Sequence, residues 1–132
     1  GTPGVLKVIR DDIEDAGNLA GRLRGEARLL KRLVHENLVG ILDFGVTRSG
    51  RAFLVRELLD GETLGDRLRR ERVLPEALAI DVALQTLAGL AVAHASGLIH
   101  RDVKPDNVFL CGPIGGSSPK VKILDVGVAK IM

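Results

Sequence analysis

Apolar and polar positions change period several times along the chain, and each change marks an element. Val5-Leu6-Lys7-Val8-Ile9 is a short apolar run bounded by Gly4 and by Arg10-Asp11-Asp12. Its length and β-branched content predict a strand with a lysine in its middle. From Asn18 to Val34 the residues Leu19, Leu23, Leu30, Leu33 and Val34 recur at helical spacing, with Arg22, Arg24, Arg28, Lys31 and Arg32 on much of the other face. This pattern predicts an amphipathic helix. Gly40 to Val46 and Ala52 to Leu59 read as two strands, and Thr47-Arg48-Ser49-Gly50 between them as a hairpin turn. Asp60-Gly61 breaks the pattern, and a short polar helix is expected from Thr63 to Glu71.

Pro75 opens a long helix that runs to Ser96, with proline in its favoured first turn and Gly97 past the end. Ala77, Leu78, Ile80, Val82, Ala83, Leu84, Leu87, Leu90, Ala91 and Val92 wrap most of its circumference. A helix apolar nearly all round is expected to be buried in a larger body. Strand-like pieces follow at Leu98-Ile99, Val108 to Leu110 and Val121 to Leu124, with a flexible loop from Gly112 to Pro119 before the last. A strand-rich part with one helix, a break at Asp60-Gly61 and a helical part suggest two lobes joined by a hinge.

Composition narrows the picture. The chain has 132 residues, of which 45% are hydrophobic, enough to fill a core. Its formal charge of +2 is the balance of 19 basic and 17 acidic side chains, which gives no reason to expect a nucleic-acid or anionic-membrane partner. Arg67, Arg69, Arg70 and Arg72 are expected to form a solvated helix face. The lone Cys111 excludes an internal disulfide, fits a reducing compartment and is expected to act as a small hydrophobe at a strand end. No run reaches the roughly 18 uncharged apolar residues of a membrane span, and no leader is evident. The opening Gly1-Thr2-Pro3 and the unpartnered long helix suggest a piece of a longer chain.

The strongest chemical signal is His100-Arg101-Asp102-Val103-Lys104-Pro105-Asp106-Asn107, a loop after a helix and before a strand. Phosphoryl transfer needs that mixture: an acid to take a hydroxyl proton, a cation to steady the moving group, and an amide oxygen for a metal. The segment resembles the catalytic loop of eukaryotic-type protein kinases, and Lys104, two residues after Asp102, matches the serine/threonine class. Lys7, costly inside an apolar strand without a partner, matches the phosphate-binding lysine. Glu26, the only acid between Asn18 and Val34, matches its helix partner. His35-Glu36-Asn37-Leu38-Val39 is similar to the family's His-Pro-Asn-Ile-Val. Asp43-Phe44-Gly45 copies the metal-binding motif literally but precedes the catalytic loop. Asp125-Val126-Gly127 stands in the right order, with valine for phenylalanine.

The resemblance covers essentially the whole chain and implies an α+β, partial bilobal kinase fold. Residues 1–60 would form part of the N-lobe (third strand, C helix, fourth and fifth strands, hinge). Residues 61–132 would begin the helical C-lobe, with catalytic loop and metal-binding Asp-Val-Gly. It further implies ATP and Mg²⁺ or Mn²⁺ as cofactors, a protein substrate bearing serine or threonine, and a cytoplasmic domain of a longer bacterial parent, with or without a membrane anchor. In that scheme Asp102 and Lys104 are catalytic, and Asn107 and Asp125 hold the metal. Lys7, Glu26, Val5, Glu57, Leu59 and Phe109 bind ATP, the last four around adenine. Arg56 falls at the gatekeeper position, where it either narrows the adenine pocket or points to solvent. The family's glycine-rich loop and activation segment do not fall within the chain, so activity of these 132 residues alone is not expected. The rival reading is a pseudokinase-type module that binds without catalysing, suggested by Val126 and Arg56.

Overall fold

The computed structural model describes residues 1, 3–8, 25 and 27–126. Among the described residues the strands form two antiparallel three-stranded sheets. The first has the order β1-β3-β2, from β1 (Gly4–Val8), β2 (Ile41–Val46) and β3 (Ala52–Glu57). The hairpin between β2 and β3 closes where expected: the Thr47 amide donates to Arg51 O at 2.8 Å, and the Gly50 amide to Thr47 O at 2.9 Å. Asp43-Phe44-Gly45 lies inside β2, paired with β3, and takes no part in the catalytic loop.

The second sheet runs β4 (Gly61–Thr63), β5 (Val108–Cys111), β6 (Lys120–Ile123) in that order. β4 was not expected, because Asp60-Gly61 reads only as a break. Gly61 there has φ +140, and a Cβ on it would stand within bonding distance of Leu110 O, so only glycine admits the pairing.

Residues 27–32 (α1) are helical, the described part of the predicted Asn18–Val34 helix. Residues 18–24 and Glu26 lie outside the described residues. Val34 follows the helix and is exposed, so it does not belong to the apolar face. α2 (Leu64–Glu71) begins at Thr63, whose hydroxyl accepts from the Asp66 amide. α3 (Glu76–Ala95) is bracketed by Pro75 and Ser96. Leu98-Ile99 is not a strand. Gly97 turns the chain at φ +80 and the Leu98 amide returns to Ala93 O, spending on the helix end the donor a strand needs.

α3 is buried on one side only. Leu78, Val82, Gly89 and Ala93 face the second sheet, while Ile80, Leu84 and Leu87 are exposed. Contrary to the sequence reading, this helix is long and apolar enough to cross a membrane by length and composition, with a mean hydropathy of 1.5. The side packed against β6 is nevertheless a core face. Two apolar clusters meet along it: Leu30, Leu38, Ala93, Leu98, Ile123 and Val126, and then Leu78, Val82, Val108, Leu110 and Val121.

One arginine of the expected solvated face departs from it, while Arg69, Arg70 and Arg72 are exposed as expected. Arg67 is buried and donates to Glu71 Oε2 at 2.9 Å and to Gly116 O at 2.6 Å. Arg70 grips the buried Glu62 with both terminal nitrogens, and the Gly115 amide completes that carboxylate. Short glycine-rich backbone brings carbonyls and an amide within reach, so the loop 112–119 is pinned to α2 rather than solvating it.

Candidate active site

The segment after α1 ties the first sheet to the second. Asn37 is 2% exposed and donates from Nδ2 to Val121 O at 2.8 Å and to Gln85 Oε1 at 3.1 Å. Leu38 forms an isolated parallel bridge with Ile123, and the amides of Ile123 and Val39 bond Asn37 O and Ile123 O. Gly89 makes room for this contact: a Cβ there would lie 2.7 Å from Asn37 O. Asn37 is thus a positioning residue, as is Gln85, which sequence reasoning did not single out.

His100 sets the two acidic loops against each other. It is 1% exposed. Its Nδ1 accepts from the Asp102 amide at 3.1 Å, so Nε2 carries the proton and donates to Leu124 O at 2.6 Å. One imidazole therefore links the amide of Asp102 to the carbonyl preceding Asp125. The Leu124 amide donates to Asn107 O at 2.8 Å, a second tie between the same loops. Arg101 and Asp125 both sit at positive φ, 68 and 58, a conformation that non-glycine residues hold only where surrounding bonds enforce it.

Within the loop, Asp102 is half exposed. Its Oδ2 accepts from Asn107 Nδ2 at 3.1 Å and lies 3.3 Å from Lys104 Nζ. Among the described residues its Oδ1 has no partner. Asn107 Nδ2 also donates to Asp102 O at 2.9 Å. Both its partners are acceptors, which assigns Nδ2 as the donor and leaves the Asn107 side-chain oxygen out of these contacts.

Asp125 collects charge from the first sheet. Lys7 Nζ lies 2.9 Å from its Oδ2 and Arg56 Nη1 lies 3.1 Å from its Oδ1. Pairing explains the convergence, since Val5 stands opposite Arg56 and Lys7 opposite Leu54, which puts all four on one sheet face. Arg56 thus points inward, the alternative left open by the sequence. Glu26, the expected partner of Lys7, lies outside the described residues.

The oxygens of Asp125 and Asn107 fit Mg²⁺, a hard cation that takes one or two protein oxygens and completes its shell with water and phosphate. No group of three or more His, Cys, Asp or Glu side chains able to hold a metal occurs among the described residues, so no all-protein cage competes with that arrangement.

The residues assigned to adenine are spread over β1 (Val5), the end of β3 and just beyond it (Glu57, Leu59) and β5 (Phe109). Glu57 ends β3 and its amide donates to Gly40 O at 2.9 Å, so a backbone contact from Glu57 to a nucleotide falls to its carbonyl. Its side chain accepts from the Gly40 amide at 2.9 Å and from Lys122 Nζ at 2.6 Å. Burial pushes this carboxyl up, but the Lys122 and Gly40 hydrogen bonds outweigh it and hold the group below its ordinary value. Phe109 stands opposite Lys122 on β5, half-buried on the same face, and Leu59 is half-buried beyond β3. Burial pushes the Cys111 thiol up, as suits an inert side chain.

A family model described as protein kinase domain matches residues 2–132. Curated relatives include the serine/threonine-protein kinase PkaB of Streptomyces coelicolor, 40% identical over 98% of this chain and 32% of that protein. PknA of Mycobacterium tuberculosis is 39% identical over 95% of the chain and 29% of its own length. The kinase pkn3 of Myxococcus xanthus is 38% identical over 96% of the chain and 23% of its own length. The chain therefore spans a third or less of each of these relatives.

Proposed function

Because the chain belongs to the protein kinase domain family, we propose that it supplies the nucleotide and catalytic residues of a serine/threonine protein kinase. The reaction is transfer of the γ-phosphoryl group of ATP to a protein hydroxyl. The observation that carries this reading is the state of Asp102: its Oδ2 is held by Asn107 and Lys104, and its Oδ1 is left toward solvent. In this reading Oδ1 orients the substrate hydroxyl and accepts its proton as the oxygen attacks phosphorus.

Lys104 steadies the transferring group. Lys7 anchors the phosphates, and Val5, Glu57, Leu59 and Phe109 surround the adenine. Asn107 and Asp125 hold the divalent cation, which neutralises phosphate charge when bound. His100 holds the Asp102 and Asp125 loops in register and exchanges no proton with substrate. Residues 1–60 and 61–132 act as two partial lobes about Asp60-Gly61, and the free thiol of Cys111 supports a cytoplasmic setting.

The test is phosphoryl transfer from labelled ATP to a serine- and threonine-bearing protein, run on the native gene product. Asp102→Asn is expected to lower turnover by a factor of about 10³ or more while nucleotide affinity changes less than threefold. Transfer at the wild-type rate in that variant would remove Asp102 from the mechanism. Nucleotide binding with no transfer by the wild-type protein would favour the non-catalytic alternative instead.

A further inference from the structure

We propose that Arg56 controls divalent-cation loading by occupying Asp125 Oδ1, so that the cation and the guanidinium compete for one carboxylate. The inference rests on the reading of Asp125 as a metal ligand. Arg56 and Asp125 are both largely shielded, with side-chain exposures of 20% and 18%, and they meet at 3.1 Å. Lys7 engages the other oxygen at 2.9 Å. A single carboxylate therefore faces two full positive charges, and the left-handed backbone of Asp125 holds it between them. Each carboxylate oxygen has a lone pair to spare, but an approaching dication meets both charges at short range in a partly desolvated site.

The two cations are not equivalent. Lys7 projects from β1 and, in the kinase reading, has phosphates to bind once nucleotide is present. Arg56 projects from β3 beside Val5, on the side assigned to adenine. It can release Asp125 only by moving. Two consequences follow. The divalent cation alone binds weakly, because nothing offsets the repulsion. Nucleotide, whose phosphates bring negative charge and draw Lys7, makes cation binding much stronger, so the two ligands are positively coupled. Removing Arg56 loosens that coupling by strengthening the cation-only state.

The experiment measures Mn²⁺ affinity by electron paramagnetic resonance, with Mn²⁺ alone and with Mn²⁺ plus ADP, on the native gene product. Arg56→Met is expected to tighten Mn²⁺ alone about tenfold, the scale of one nearby like charge removed from a half-shielded site. It is also expected to shrink the gain that ADP confers. Arg56→Gln, which keeps a hydrogen-bonding end without the charge, serves as the second variant if the methionine form does not fold. Unchanged or weaker Mn²⁺ binding in the folded variant overturns the proposal. Asp125→Asn separates the two levels of inference: it should abolish Mn²⁺ binding. If it leaves binding intact, the reading of Asp125 as a ligand fails, whatever Arg56 does.

Discussion

Glu57 shows how a single side chain near a nucleotide site can be committed to structure. Its carboxylate joins the end of β3 to Gly40 and to Lys122 on the other sheet. A hydrogen-bonded, partly shielded ion pair of this kind contributes on the order of 1–2 kcal/mol. Because the folded carboxyl lies below its ordinary value of 4.5, the contribution is fully present above the unfolded value. It is lost as pH falls through the depressed folded value. Glu57→Gln should therefore lower the urea midpoint at pH 7, and the gap to wild type should narrow as pH is taken down from 4.5. An equal gap at both ends would mean that the pair stabilises by shape and not by charge. The charge-bearing residues were legible one by one, since Asp102, Lys104, Asn107, Asp125 and Lys7 stand in an ordered pattern. What each touches was not legible. Nothing in the chain's linear order says that Arg56 and Lys7 share one carboxylate, because that follows from strand pairing between residues far apart. The buried roles of Arg67 and Glu62 were hidden for the same reason: an arginine on a polar helix reads as solvated until a loop distant in sequence folds over it.

Elements with a strong local period were found where the sequence placed them, to within two or three residues at their ends. This holds for β1, β2, β3, α2, α3, β5 and β6. Elements that depend on a distant partner were not. β4 is three residues long and exists only because β5 lies beside it, while Leu98-Ile99 looks like a strand but spends its amide on the end of α3. The docking of the Asn37 loop on α3 is one of the contacts that hold the two sheets together, and Gly89 is its weak point. A methyl group at residue 89 would meet Asn37 O at 2.7 Å and Ile123 Cδ1 at 3.0 Å. Replacing a helical glycine by alanine ordinarily gains about 1 kcal/mol. Here the obstacle is a backbone carbonyl whose residue is bonded to Val121, Gln85 and Ile123, and overpacking of this kind costs about 1–3 kcal/mol. The clash outweighs the propensity. Gly89→Ala is thus expected to lower the melting temperature, read by differential scanning calorimetry. A rise would show that the loop shifts freely, and that Asn37 is not the fixed point described here.

At the scale of the whole molecule, the side of α3 that faces away from the second sheet governs how these 132 residues behave by themselves. Ile80, Leu84 and Leu87 are more than half exposed. Leu87 also lines an open groove of about 530 Å³ with Leu64, Leu68, Leu74 and Val103, and with Lys104 and Pro105 of the catalytic loop. A continuous apolar surface in water is a driving force for association, at about 25 cal/mol for each Å² covered. The same sequence feature first suggested that α3 belongs in a larger body. The structure adds which side is covered: Leu78, Val82, Gly89 and Ala93 are satisfied, and the opposite side is not. The 132-residue chain alone should therefore bind the dye ANS and elute from a sizing column as a concentration-dependent mixture. Leu84→Glu with Leu87→Glu should remove most of the dye signal and shift elution toward the monomer, with the circular dichroism spectrum kept. Those two positions touch neither cluster of the core, so the pair isolates the surface from the fold. Dye binding and elution unchanged in the double variant would assign the association to a different surface.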